Sequence, residues 1–282
     1  MSLTPGYYLK HVANWSSTMK RLLLVLLLSG TVARAEAADY TDIWFNPLQR
    51  GYGFNIVESD DGTGAPFLFV TFFIYGPSGA PTWYTAQLRW DRVDAFTGIV
   101  YATTGTFFAT PWNVGNFSVP QAGTASFTPN PGNNYQGTIS YTVTAVGSST
   151  NTLTRQTLTA IAISGSYVGG QSGSFSACNP AADDGTYKDY YDLQVTQSAG
   201  AAVTYAFTFK SGLTCQFSGT YVQNGQYFNV PNASYTCSDG TAATAQMSEI
   251  KATSLGIEGR FTAPGGLDNC TESAFFGGPR VH

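Results

Sequence analysis

Any chemistry in this chain has to be done almost without histidine. Its two histidines, His11 and His282, stand near the two ends of the 282 residues. A Ser-His-Asp or Cys-His arrangement needs an imidazole held in a fixed orientation, and chain ends are seldom held that firmly. Gly170-Gln171-Ser172-Gly173 does not fit the G-x-S-x-G nucleophile elbow. Histidine ligands for zinc or copper are equally short. Carboxylates remain: a glycosidase needs two of them facing each other across a cleft. The candidates within strand-like segments are Glu58, Asp192, Glu249 and Glu258. Other acids, such as Asp60, Asp61 and Asp239, fall in turns, where they cap backbone N–H groups or stay solvated. Asp183, Asp184, Asp189 and Asp192 crowd into residues 181–192, but their spacing does not match a D-x-[DN]-x-[DN]-G calcium loop. No metal and no cofactor is expected.

Aromatic side chains are the larger resource, with 5 Trp, 17 Tyr and 19 Phe. Flat rings beside amide or guanidinium groups suit sugars and other planar ligands. In TWYTAQLRW, residues 82–90, Trp83, Thr85, Gln87 and Arg89 share one face of a strand, opposite Thr82, Tyr84, Ala86, Leu88 and Trp90. Trp83, Gln87 and Arg89 are candidate ligand-binding residues if this face lines a barrel mouth or groove. They form an ordinary outer face if it meets solvent. Trp112 follows Pro111 in a loop and joins the candidates. Trp90 and Phe73 are expected in the core.

The elements that position these residues read as strands. Gly, Thr, Ser, Tyr and Phe abound while Lys and Glu are scarce, a composition of strands and turns. Strand-like runs cover 51–58, 67–76, 82–90, 96–103, 123–128, 135–143 and 152–160 in the first half. They continue over 190–196, 202–210, 213–222, 226–236, 244–251 and 255–262. Turn formers such as Gly76-Pro77-Ser78-Gly79 and Asn130-Pro131-Gly132 join them. The expected fold is all-β: antiparallel meanders forming two β-barrel or sandwich domains, the second with two disulfides. The domains are expected at 39–164 and 165–282, divided at a Gly/Ser-rich stretch, with one continuous sheet system as the alternative. FLFVTFFIYG, residues 67–76, is apolar on both faces, which points to a central strand covered on both sides. It is too short for a membrane helix, which takes about 20 apolar residues.

Residues 1–38 read as a signal peptide with an upstream extension, the natural start being Met19. Lys20 and Arg21 precede the apolar run 22–28, and Ala33-Arg34-Ala35 is a small-x-small cleavage site. A cut there removes four of the 13 basic residues and none of the 17 acidic ones, taking the net charge from −4 to −8. That balance argues against nucleic acid and anionic membrane as partners. No membrane span is left after cleavage, so the protein is expected in the periplasm or outside the cell. Oligomeric state is not legible.

An even number of cysteines in an exported chain suggests disulfides. Cys178, Cys215, Cys237 and Cys270 all lie in the second half, and the nearest pair is 22 apart, wider than thiolate zinc sites use. The preferred pairing is Cys215–Cys237 across a hairpin and Cys178–Cys270 between domain ends. A hairpin centred on Asn224-Gly225 would put Cys215 opposite Ser234, so a bulge near Pro231 is needed to bring Cys237 round.

The first half resembles a module of secreted, β-rich proteins of Gram-negative bacteria. The matching residues are Asn46-Pro47, Gly51-Tyr52-Gly53, Tyr75, Gly79, Pro81, Trp83-Tyr84, Phe96-Thr97-Gly98 and Thr154-Arg155-Gln156. Gly219-Thr220-Tyr221, Tyr235-Thr236-Cys237 and Gly259-Arg260-Phe261 accompany it in the second half. The resemblance implies exported β architecture and carries no activity or site residues. Shorter likenesses are lower in weight: SGSYVGG and FSGTYVQNG to strand ends of avidin-type barrels, and YTCSDG to small periplasmic lysozyme inhibitors. The leading expectation is an exported, non-enzymatic binding protein for carbohydrate or another envelope or extracellular ligand. The alternatives are a carboxylate-dependent glycoside hydrolase or lyase, and a structural surface or secretion-associated protein.

Overall fold

A computed structural model describes residues 39–60, 62–265 and 269–281. The expected leader lies outside the described residues. The first eight strands are β1 (Asp42–Phe45), β2 (Gly53–Asp60), β3 (Pro66–Tyr75), β4 (Pro81–Trp90), β5 (Phe96–Tyr101), β6 (Gln121–Asn130), β7 (Asn133–Val143) and β8 (Gly147–Arg155). Each pairs antiparallel with the next, and β1 returns to β8 through Trp44–Arg155 and Phe45–Thr154, closing a barrel. An eight-stranded barrel is just wide enough to be filled by side chains. Trp44, Phe54, Leu68, Phe72, Phe127 and Ile139 fill this one, all fully buried.

The second barrel uses β9 (Gly165–Ser176), β10 (Gly185–Ser198), β11 (Ala202–Phe209), β12 (Thr214–Thr220), β13 (Val222–Asn224), β14 (Tyr227–Cys237), β15 (Ala242–Ala252), β16 (Gly256–Ala263) and β17 (Thr271–Val281). Pairing of β12 with β14 closes eight of them, and the short β13 adds a rib along the start of β14. Tyr191, Tyr205, Phe207, Phe217, Phe228 and Phe276 pack its interior. Both disulfides form as preferred from the sequence, Cys215–Cys237 and Cys178–Cys270. No helix among the described residues is long and apolar enough to cross a membrane.

Several expectations change. β3 is not covered on both sides. Its inward face, Leu68, Val70, Phe72 and Ile74, is buried in the barrel, while Phe73 is 56% and Tyr75 48% exposed on the outside. Phe73 is therefore not a core residue. A barrel covers one face of each strand, and a second apolar face needs a partner that the fold itself does not provide. β8 runs over Gly147–Arg155 rather than 152–160, because its first half is polar on both faces and apolar burial begins only at Leu153. β1, β9 and β17 were not expected as strands. In β9 the glycines have a packing cause: a Cβ on Gly169 would lie 2.1 Å from the Gly277 carbonyl oxygen of β17.

The hairpin register is also corrected. Asn224 pairs with Tyr227, so the two-residue turn is Gly225-Gln226, with Gly225 at φ +63° in the position where type II′ turns take glycine. One further slip between β13 and β12 then sets Cys215 opposite Cys237, while Ser234 faces Ser218. The irregularities expected near Pro231 fall instead in the β14–β15 ladder, between Phe228 and Ala233.

The barrels meet at a junction built on Arg155, which is 2% exposed. Its Nη1 lies 3.2 Å from Asp42 Oδ2, and its other N–H groups donate to the carbonyls of Asp39 (2.6 Å) and Asn134 (3.0 Å). Its guanidinium stacks between Trp44 of the first barrel and Tyr227 of the second, 4.7 Å from each ring centre. The Glu249 N–H donates to the Tyr135 hydroxyl at 2.7 Å, and Lys251 pairs with Asp39 at 3.3 Å. The turn at Gly225 must be glycine here as well, since a Cβ would lie 2.2 Å from Asp42 Oδ2.

Candidate functional site

Strand alternation sets Trp83, Thr85, Gln87 and Arg89 on the outer face of β4, because Tyr84, Ala86 and Leu88 fill the barrel. The face is a wall and not a mouth. Its neighbours follow from register. Trp83 sits opposite Phe73, Gln87 between Phe69 and Ile99, and Arg89 between Phe67 and Thr97. Trp83 is 52% exposed, and with Gly51, Phe73, Tyr75 and Pro81 it borders a small groove of about 190 Å³. The Tyr75 hydroxyl donates to the Gly51 carbonyl at 2.9 Å, which fixes that ring against the β1–β2 loop. The Arg89 guanidinium lies 5.5 Å over the Phe67 ring.

Beyond β5 the same outer rows turn from aromatic to hydroxylic. One row runs Phe69, Gln87, Ile99, Thr124, Thr142, Ser148; the next runs Phe67, Arg89, Thr97, Ser126, Ser140, Thr150. Adjacent strands stand about 4.8 Å apart, so six positions span roughly 24 Å. The hydroxyl end forms an open trough of about 760 Å³ lined by Thr97, Thr124, Ser126, Ser140, Thr142 and Thr150, among others. Two of its cross-strand pairs are hydrogen-bonded, Ser140 to Thr150 at 2.9 Å and Thr142 to Ser148 at 2.8 Å.

Comparison with protein-family models and with curated proteins returns no match for this chain. The site therefore rests on its own geometry.

Trp112 lies on a loop and not on a strand of the wall. It is 66% exposed on the long β5–β6 loop, beside Phe117. That loop is pinned at its neck by Thr104 and Ser118, which exchange backbone hydrogen bonds at 3.0 and 3.3 Å. Phe107 and Phe108 project from the same loop. The loop leaves the barrel at the end where β3 and β4 join, the same end as Trp83.

Three of the four candidate acids, Glu58, Glu249 and Glu258, stand near the junction tyrosines Tyr40 and Tyr227. Glu58 lies at the junction end of the first barrel and accepts the Tyr40 N–H at 2.7 Å; burial raises its pKa. Glu249 is held by Arg260 at 2.8 Å, and Asp192 pairs on the surface with Lys210 at 3.2 Å. Glu258 faces outward opposite Lys251 in the β15–β16 ladder. Three of them are thus already tied to a donor, namely the Tyr40 N–H, Arg260 and Lys210.

One acid was missed. Glu272, on β17, points into the mouth of the second barrel and is 7% exposed. Tyr187 donates to its Oε1, and Tyr235 donates to its Oε2 at 3.0 Å. Burial is the largest cause raising its pKa, and the two tyrosine hydroxyls pull it back down. The tyrosines are pushed up too, by burial and then by the Glu272 charge. The signal lay in Glu272-x-Ala274-x-Phe276, an alternation that places the acid on the apolar, inward face.

Proposed function

We propose that the protein is an exported, non-catalytic binding protein that takes carbohydrate along the outer wall of its first barrel. The observation that carries this is the exposed row of Phe69, Phe73, Tyr75 and Trp83, continuous with amide, guanidinium and hydroxyl groups on adjacent strands. Rings give a sugar's C–H face an apolar platform, and the flanking groups serve its hydroxyls. Apolar groups exposed together on one wall are the usual mark of an interaction surface. The disulfides suit an oxidising compartment outside the cytoplasm. Resemblance to secreted β-rich proteins of Gram-negative bacteria agrees with export.

Purified protein incubated with a panel of soluble and insoluble polysaccharides tests the reading. Retention without new reducing ends or unsaturated products is the expected result. In the double variant Trp83→Ala with Arg89→Ala, affinity falls about tenfold or more, as loss of aromatic and arginine anchors does elsewhere. Unchanged affinity in that variant removes the wall as the site, and product release removes the non-catalytic reading.

A further inference from the structure

The mouth of the second barrel is a separate concavity of about 300 Å³, bordered by Gln171, Phe175, Tyr187, Phe209, Tyr235 and Glu272. Its polar groups form one chain. Gln171 Nε2 donates to the Tyr187 hydroxyl at 3.4 Å, and Tyr187 donates to Glu272 Oε1. Tyr235 donates to Glu272 Oε2. The Tyr187 proton is committed to the carboxylate, so Gln171 has to present its NH₂ there, which fixes the amide orientation. Both hydroxyl protons in the chain are therefore spent, and Gln171 keeps one further N–H. Most of what remains is acceptor capacity: the second lone pairs of Glu272 and Gln171 Oε1, which among the described residues has no partner although Gln171 is 9% exposed.

Charge points the same way. Asp189 and Asp239 also border the cavity, against Lys188. Lys188 belongs to the outward-facing set of β10, alternating with Tyr187 and Asp189. Glu272 is flanked by tyrosines and Asp239, and among the described residues no cation pairs with it. Aromatic walls complete the mouth, with Phe175 and Tyr187 stacked at 4.9 Å. Cys215, Cys237 and Cys270 lie on its border, so both disulfides brace it.

We infer that this mouth is a binding site for a small organic cation, a primary ammonium or guanidinium group on a compact apolar body. An acceptor-rich, acidic, aromatic-walled cavity matches a ligand that brings donors, positive charge and a face for the rings. The ligand's N–H groups reach Glu272 and Gln171 Oε1, and its body lies against Phe175, Tyr187 and Tyr235.

Calorimetry and two-dimensional NMR with 2-phenylethylamine, agmatine and 1,4-diaminobutane test the site, with 2-phenylethanol as the neutral counterpart. At least one of the amines binds, the alcohol does not, and Glu272→Gln weakens the amine about tenfold or more, the loss expected for a charge-assisted hydrogen bond. Failure of all three amines to bind, equal binding of amine and alcohol, or full affinity in folded Glu272→Gln overturns the assignment. If Glu272→Gln does not fold, the wild type decides. Amine-induced shifts at the Tyr187 and Tyr235 rings support the site, and shifts confined elsewhere overturn it.

Discussion

The two barrels share strand number, antiparallel order and a filled interior, yet they place their reactive surface differently. The first keeps its exposed aromatics on the outer wall. Its one deeply buried charge, Arg155, is surrounded by Asp42, backbone carbonyls and two aromatic rings. The second keeps its buried carboxylate, Glu272, at an open mouth with hydroxyls for company and, among the described residues, no ion-paired cation. A buried charge whose partners are complete serves the fold. A buried carboxylate held by hydroxyls alone keeps a desolvation cost that a bound cation would offset. On the readings proposed above, the first barrel binds on its surface and the second in its mouth.

The widest separation between the barrels comes from the disulfides. Both lie in the second barrel, closing separations of 92 and 22 residues. Chain-entropy reasoning gives about 4.5 kcal/mol for the longer and about 3 kcal/mol for the shorter. Replacing each cysteine pair by alanine in turn should lower stability in that order, read by chemical denaturation. Hydrogen exchange should show protection lost first in β9–β17. Equal loss in β1–β8 would mean that the junction, and not each barrel, sets the unit of stability.

Next in size is the junction. Arg155→Ala leaves Asp42 buried without its partner and removes the stacking on Trp44 and Tyr227. A loss of about 3–5 kcal/mol is expected, as for other broken buried pairs. A change under about 1 kcal/mol would show that the junction does not depend on this charge.

Glu272→Gln should go the other way, and only at higher pH. Burial raises the carboxyl pKa in the folded state above its unfolded value. The folded protein then holds the proton more tightly, and that contribution is complete below the unfolded value. It is lost as pH rises through the raised folded value. Glutamine mimics the protonated form, so the variant should gain in melting temperature over the wild type at pH 8 and match it near pH 4. A gain independent of pH would remove ionisation of Glu272 as the cause.

The smallest stability effect belongs to the wall. Trp83→Ala with Arg89→Ala changes exposed side chains, so stability should stay within about 0.5 kcal/mol per site while glycan retention falls. Unfolding of this variant would mark the wall as structural.

How far the sequence led can be judged residue by residue. The alternation of TWYTAQLRW correctly separates Tyr84, Ala86 and Leu88 from Trp83, Gln87 and Arg89. The cysteine pairing preferred from the sequence does form, but through a hairpin register other than the one expected. The exposure of Phe73 was not, because an apolar strand face looks the same whether a second layer covers it or a ligand does. β9 was hidden by its glycines, of which Gly169 lets β17 approach. Glu272 was hidden because the strand carrying it was not recognised, so its inward direction could not be assigned. Site geometry built across β9, β10, β14 and β17 depends on register that no single segment records.

Binding on the outer wall of the first barrel is tested most directly by one comparison. Wild-type protein and the Trp83→Ala, Arg89→Ala double variant are passed over the same polysaccharide panel, with circular dichroism confirming that both are folded. The expected result is retention of the wild type on at least one glycan and its loss in the variant, with no product released by either. Retention by both proteins, or by neither, contradicts the assignment of that wall as a carbohydrate-binding surface.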